Sequence, residues 1–158
     1  MAVINPYNYA KPKNFMRQAN EPAIIFPDTK SANKSGNKAN DKVDQYLENR
    51  VLSAKPEELT YMLYEGLVKF IKKAMFALDE KNYGRVNYNS QRAQAILDEL
   101  RSTLNMDVPL SRNLDDLYEY MGHKLLLANI EKNKEYYNET LDMAENFKET
   151  WKTTFNIR

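Results

Sequence analysis

Residues 56–78 read PEELTYMLYEGLVKFIKKAMFAL, and this stretch decides the fold. Pro56 suits a first helical position, because its missing N–H would have no intrahelical partner there. Glu57 and Glu58 place carboxylates at the positive end of the helix dipole. Apolar residues then recur at Leu59, Met62/Leu63, Leu67, Phe70/Ile71, Ala74 and Leu78. That 3–4 spacing, held over about five turns, is the mark of an amphipathic helix. Asn82 and Gly84 punctuate it.

The same period continues downstream. Val86, Ala93, Ile96/Leu97, Leu100 and Leu104 outline a second helix, which Asp107-Val108-Pro109 stops. A third starts around Ser111 and carries Leu114, Leu117/Tyr118, Met121, Leu125 and Ala128 on one face. After a break near Asn133, a fourth runs through Tyr137, Leu141, Ala144, Phe147, Trp151 and Phe155. Each spans roughly 20 residues, about 30 Å. Short connections make successive helices antiparallel neighbours. The expected fold is therefore all-α: an antiparallel up-down four-helix bundle. Upstream, Asp44 to Leu52 predicts a short extra helix, with Tyr46, Leu47, Val51 and Leu52 at helical spacing.

Composition changes near residue 44. The first 44 residues hold four of the 6 Pro and seven Lys/Arg against four Asp/Glu. The polar run from Thr29 to Lys42 cannot bury enough apolar area to offset chain ordering. Residues 1–43 thus read as a flexible arm, and residues 44–158 as the helical bundle domain. Two apolar islands interrupt the arm: Ile4-Asn5-Pro6-Tyr7 and Ala23-Ile24-Ile25-Phe26-Pro27.

Composition also removes whole classes of chemistry. There is no Cys, hence no disulfide, zinc ribbon or thiol nucleophile. A single His cannot build a multi-His metal site. Lys+Arg of 23 against Asp+Glu of 22 lacks the basic excess of a nucleic-acid binder. The N-terminus has no signal-peptide pattern, and no apolar run approaches the ~20 residues of a membrane span. The expected location is the cytoplasm, without membrane insertion.

The carboxylate pairs Glu57/Glu58, Asp98/Glu99 and Asp115/Asp116 read as solvated helix faces. His123 could serve as a phosphoacceptor, since histidine phosphotransfer domains are also small four-helix bundles. Its plainer reading is an exposed helix His without special role. No catalytic, cofactor or metal residue is assigned. The 11 Tyr and 7 Met exceed what a core of this size needs. Such side chains give apolar, adaptable area on surfaces that bind other chains, which favours a groove for a peptide or helix.

Several motifs together resemble one family. Lys55-Pro56-Glu57-Glu58-Leu59 and Met62-Leu63-Tyr64-Glu65-Gly66 are followed by Ala93-Gln94-Ala95-Ile96-Leu97-Asp98-Glu99-Leu100 and Leu104-Asn105-Met106. Asn113 to Met121, Leu125 to Asn129 and Trp151 complete the series, and Asn5-Pro6-Tyr7 is similar to the family's N-terminal start. Over about residues 44–153 the chain resembles the FliS flagellar secretion chaperones. The resemblance implies a non-enzymatic export chaperone without cofactor. It would bind the disordered C-terminal segment of flagellin, prevent premature polymerisation and keep it competent for type III export. The export gate is a further implied partner. By similarity, partner-binding residues would be Tyr7, Tyr46, Leu47 and Val51, with Leu59, Met62 and Leu63 along the exposed edge of the Pro56 helix, and Gly66, which has no side chain, where either a client backbone or a packed bundle helix comes close. A helical adaptor for another client stays open as an alternative, as does phosphotransfer through His123.

The sequence departs from the family at two points. Roughly thirty extra residues separate the Asn-Pro-Tyr start from the Pro56 helix. Lys55 stands where the family has Ser or Thr, and a lost N-cap costs on the order of 1 kcal/mol. An exposed apolar groove is an aggregation liability. Either Ile4–Tyr7 or the Ile24-Ile25-Phe26 plug is therefore expected to fold back over it when empty.

Overall fold

The computed structural model describes residues 4–7 and 38–158. Five helices follow one another: α1 (Lys38–Ser53), α2 (Pro56–Asp79), α3 (Tyr83–Ser102), α4 (Pro109–Glu131) and α5 (Lys134–Thr154). No named strand occurs among the described residues; the one extended pairing there is an isolated antiparallel bridge between Tyr7 and Leu104. α2 packs against α3 and α5, and α4 against the same two, so the four long helices form a square. The turns between them are short, which makes neighbours antiparallel.

Local chemistry explains where each helix begins and ends. Lys55 cannot cap α2 with its side chain, but Glu58 reaches back and its Oε2 accepts from the Lys55 N–H at 2.9 Å. That is one half of a capping box, and it offsets part of the missing Ser or Thr. Asn82 caps α3 by accepting from the Arg85 N–H at 3.2 Å. Asn133 caps α5 by accepting from the N–H groups of Glu135 and Tyr136. Gly84 lies inside the first turn of α3, so Asn82 is the punctuation there. α4 ends on Lys132 in the left-handed region, φ 54°. α1 begins at Lys38, ahead of Asp44 where apolar spacing first shows. The Ile24-Ile25-Phe26 plug lies outside the described residues.

The core is built from the residues whose spacing announced the helices: Leu63, Leu67, Phe70, Ile71 and Ala74 from α2; Val86, Ala93, Ile96, Leu97 and Leu100 from α3; Met121, Leu125 and Ala128 from α4; Tyr137 and Ala144 from α5. Tyrosine takes a larger share of it than expected. Tyr64, Tyr118 and Tyr137 are among the largest fully buried side chains, while Tyr46, Tyr83, Tyr88 and Tyr120 are exposed. A buried phenol needs a partner for its hydroxyl. Tyr137 has one in Ser90, at 2.6 Å between oxygens.

Candidate functional site

Two N-terminal elements rest on the bundle, and each covers a different surface. The first is α1. Val51 and Ala54 meet Leu59 and Met62 of α2 in a small apolar cluster separate from the main core. Leu59 and Met62 are therefore buried, and not the exposed edge that similarity implied. Leu63 departs further: at 0% exposure it points into the main core, because it falls on the α2 face turned to the other helices. Gly66 is buried in α2 as well. Tyr46 stands exposed on α1 and Leu47 is half-buried. An exposed ion pair, Arg50 to Glu65 at 3.4 Å, ties α1 to α2.

The second element is Asn5-Pro6-Tyr7, which enters between α2, α4 and α5. Asn5 Oδ1 accepts from the Tyr7 N–H at 2.9 Å, closing a local turn. Pro6 holds its φ fixed, and its carbonyl accepts from the Asn105 N–H at 2.8 Å. Tyr7 then pairs with Leu104 in the antiparallel bridge at the α3–α4 turn. The backbone so placed aims the Tyr7 ring inward, where it is 5% exposed. The ring stands edge-on to Trp151, centroids 5.3 Å apart. Its hydroxyl lies 3.0 Å from that of Tyr64 and also bonds that of Tyr118.

The bundle prepares this seat. Phe147 of α5 stacks on Tyr64 at 5.8 Å and tilts against Tyr118 at 5.5 Å. Trp151 donates its indole N–H to the Glu57 carbonyl at 2.9 Å, fixing α5 to the first turn of α2. Burial first, and the neighbouring Tyr64 and Tyr118 second, push the Tyr7 phenol pKa well above its ordinary value. The group is a neutral hydrogen-bonding tip.

Of the expected partner-binding residues, the structure packs Val51, Leu59 and Met62 together under α1 and seats Tyr7 apart from them, between walls of Tyr64, Tyr118, Phe147 and Trp151 that sequence reasoning did not bring together. The Tyr surplus was the available signal, but spacing alone places these rings only in a stripe. His123 is exposed, at the rim of a shallow groove between α3 and α4 that takes in Leu97, Arg101, Gly122 and Leu126. Arg101 there forks onto Asp115, at 2.7 and 3.3 Å. Among the described residues no group of three or more His, Asp or Glu gathers for a metal. Among them, too, no helix is long and apolar enough to cross a membrane.

The class of protein so defined is an all-α bundle with two N-terminal elements packed on its surface. The family described as "Flagellar protein FliS" matches residues 39–157, and the chain belongs to that family of flagellar secretion chaperones. The relative named "Flagellar secretion chaperone FliS" in Bacillus subtilis (strain 168) is 38% identical over 107 residues, covering 68% of this chain and 80% of the relative. Its counterpart of the same name in Campylobacter jejuni is 30% identical over 113 residues, 70% of this chain and 88% of the relative. That of Salmonella typhimurium is 30% identical over 109 residues, 67% and 81%.

Proposed function

We propose that this chain is a cytoplasmic, non-enzymatic export chaperone that binds the C-terminal segment of flagellin, prevents its premature polymerisation and keeps it ready for type III secretion. Family membership supports the flagellar setting. The observation that carries the mechanism is that two apolar surfaces are covered by N-terminal elements rather than by the bundle itself. A disordered client gives up ordering entropy on binding, so it needs long apolar contact rather than one pocket. α1 and the Asn5–Tyr7 segment shield that contact surface while it is empty, and the client takes their place. Leu59 and Met62, which Val51 of α1 covers in the empty chain, form one half of the client surface, with Gly66 one turn further along α2, while Leu63 stays in the main core. Tyr7 marks the other half. The loaded chaperone then meets the export gate.

Mixing the full chain with flagellin should give a 1:1 complex on size-exclusion chromatography. Flagellin lacking its C-terminal segment should elute apart from the chain. Co-elution undiminished by that truncation would refute the assignment. Phosphotransfer through His123 predicts an acid-labile phosphate that His123→Gln removes.

A further inference from the structure

We infer that the groove between α3 and α4 is a separate docking surface, and that its occupant is a basic amphipathic helix of a partner protein, with apolar side chains at one end and Lys or Arg two turns away. The inference goes beyond the export reading, and the groove lies on different helices from the α1 contact.

The groove has a cause in the sequence. Gly122 of α4 brings no side chain to the contact with α3, and its carbonyl accepts from Gln94 Nε2 at 3.3 Å. A Cβ on Gly122 would stand 4.0 Å from Leu97 Cδ1, so the space left open there borders Leu97. Leu126 lines the same groove and is 44% exposed. Ile130, one turn further along α4, is 67% exposed. Two large aliphatic side chains at i and i+4, both in water, make an apolar strip at this end.

The other end is charged. Glu119 stands two turns before Leu126, about 10 Å along α4. Asp98 of α3 and Glu119 of α4 both line the groove. Arg101 is already engaged, since it forks onto Asp115 at 2.7 and 3.3 Å and lies 3.6 Å from Glu119. On this stretch the four carboxylates of Asp98, Asp115, Asp116 and Glu119 stand against the two cations Arg101 and Arg112.

Sign and shape select the occupant. Nucleic-acid phosphate and anionic membrane surfaces are repelled by such an excess. A second copy docking through the same face either sets these carboxylates against their own kind or lays Leu126 and Ile130 on them. A cleft between two helices offers side chains and no open strand edge, so it suits a helix rather than an extended chain. A helix matches when its apolar residues cover Leu126 and Ile130 and its cations meet Asp98 and Glu119.

His123, the single His, sits at the rim, and its ring signals in NMR report occupancy in the full chain. The probe is a synthetic helical peptide of about 18 residues, with Leu at i and i+4 and Lys two turns away on the same face. Its control is the same peptide with Glu in place of Lys. The Lys peptide should shift the His123 signals and bind about tenfold or more tightly than the Glu peptide, with the difference shrinking as salt rises. Asp98 and Glu119 are exposed, so the double variant Asp98→Asn, Glu119→Gln keeps the fold and should erase the preference. Leu126→Ala should weaken the Lys peptide about fivefold or more. Equal binding of the two peptides, a preference that survives the double variant, affinity unchanged by Leu126→Ala, binding that leaves the His123 signals in place, or no binding would each overturn the inference. Flagellin is absent throughout, so failure here is distinct from failure of the export assignment.

Discussion

Val51 of α1 and Ala54 just after it rest on Leu59 and Met62 through carbon alone, whereas Tyr7 enters the bundle with a ring, a hydroxyl and a paired backbone. The first contact is non-directional. Any apolar side chain of suitable size can replace it, and its strength follows buried area. The second is directional, and its geometry is set by Tyr64, Tyr118 and Trp151, all residues of the main core. Packing through carbon alone sets few limits on orientation, whereas the hydrogen bonds and ring geometry hold the second contact in one.

The comparison yields predictions of graded size. The largest concerns the shared wall. Tyr118 is fully buried, so Tyr118→Ala should cost about 3–5 kcal/mol of global stability by urea titration. A loss below about 1 kcal/mol would detach the Tyr7 seat from the core and dissolve the contrast.

The next concerns alkaline pH. Burial raises the Tyr7 pKa above the ordinary value of 10.0, so the folded state favours the neutral phenol. The contribution of the seat is then fully present below about pH 10 and is lost as pH rises beyond it. Trp151 emission should change in that range as the ring leaves. Tyr7→Phe should reduce the pH-dependent part, and Tyr61, Tyr120 and Tyr137, whose pKa values are raised as well, keep the remainder. An identical profile in the variant would mean the hydroxyl contributes nothing.

Smaller effects belong to α1. Val51→Ala should weaken its seat by about 1 kcal/mol, read as faster amide exchange within α1. The urea midpoint of the bundle should stay where it is. A parallel loss in both would make α1 part of the cooperative core. Smallest is Arg50→Ala. The Arg50–Glu65 pair is exposed, 43% and 40% by side chain, so its removal should cost no more than about 0.5 kcal/mol. A larger, salt-sensitive loss would make the α1 contact electrostatic instead of apolar.

The four long helices were legible because their buried faces repeat every three to four residues, as at Leu59, Met62/Leu63, Leu67 and Phe70/Ile71. Their starts were legible where a residue carries its own signal, as Pro56 does. Leu63 was misplaced because neighbouring positions on one stripe differ by only 100° around the helix, and spacing does not say which of Met62 or Leu63 faces a partner helix. Lys38 to Val43 lack a clear apolar period, so the first part of α1 gave no sign in the sequence. The Tyr7 seat was the least legible. Its walls come from Tyr64, Tyr118 and Trp151 on three helices, far apart in sequence, and only packing brings them together. Tyr7 itself was marked by its motif, but nothing local to Asn5-Pro6-Tyr7 says where the ring goes.

Amide hydrogen exchange on the full chain, with and without a peptide of the flagellin C-terminal segment, tests the central claim most directly. The account predicts that the peptide strips protection from the Asn105 amide and from α1, while the interior amides of α2 to α5 keep theirs or gain. A bound peptide that leaves both coverings as protected as before, or no binding at all, would contradict it.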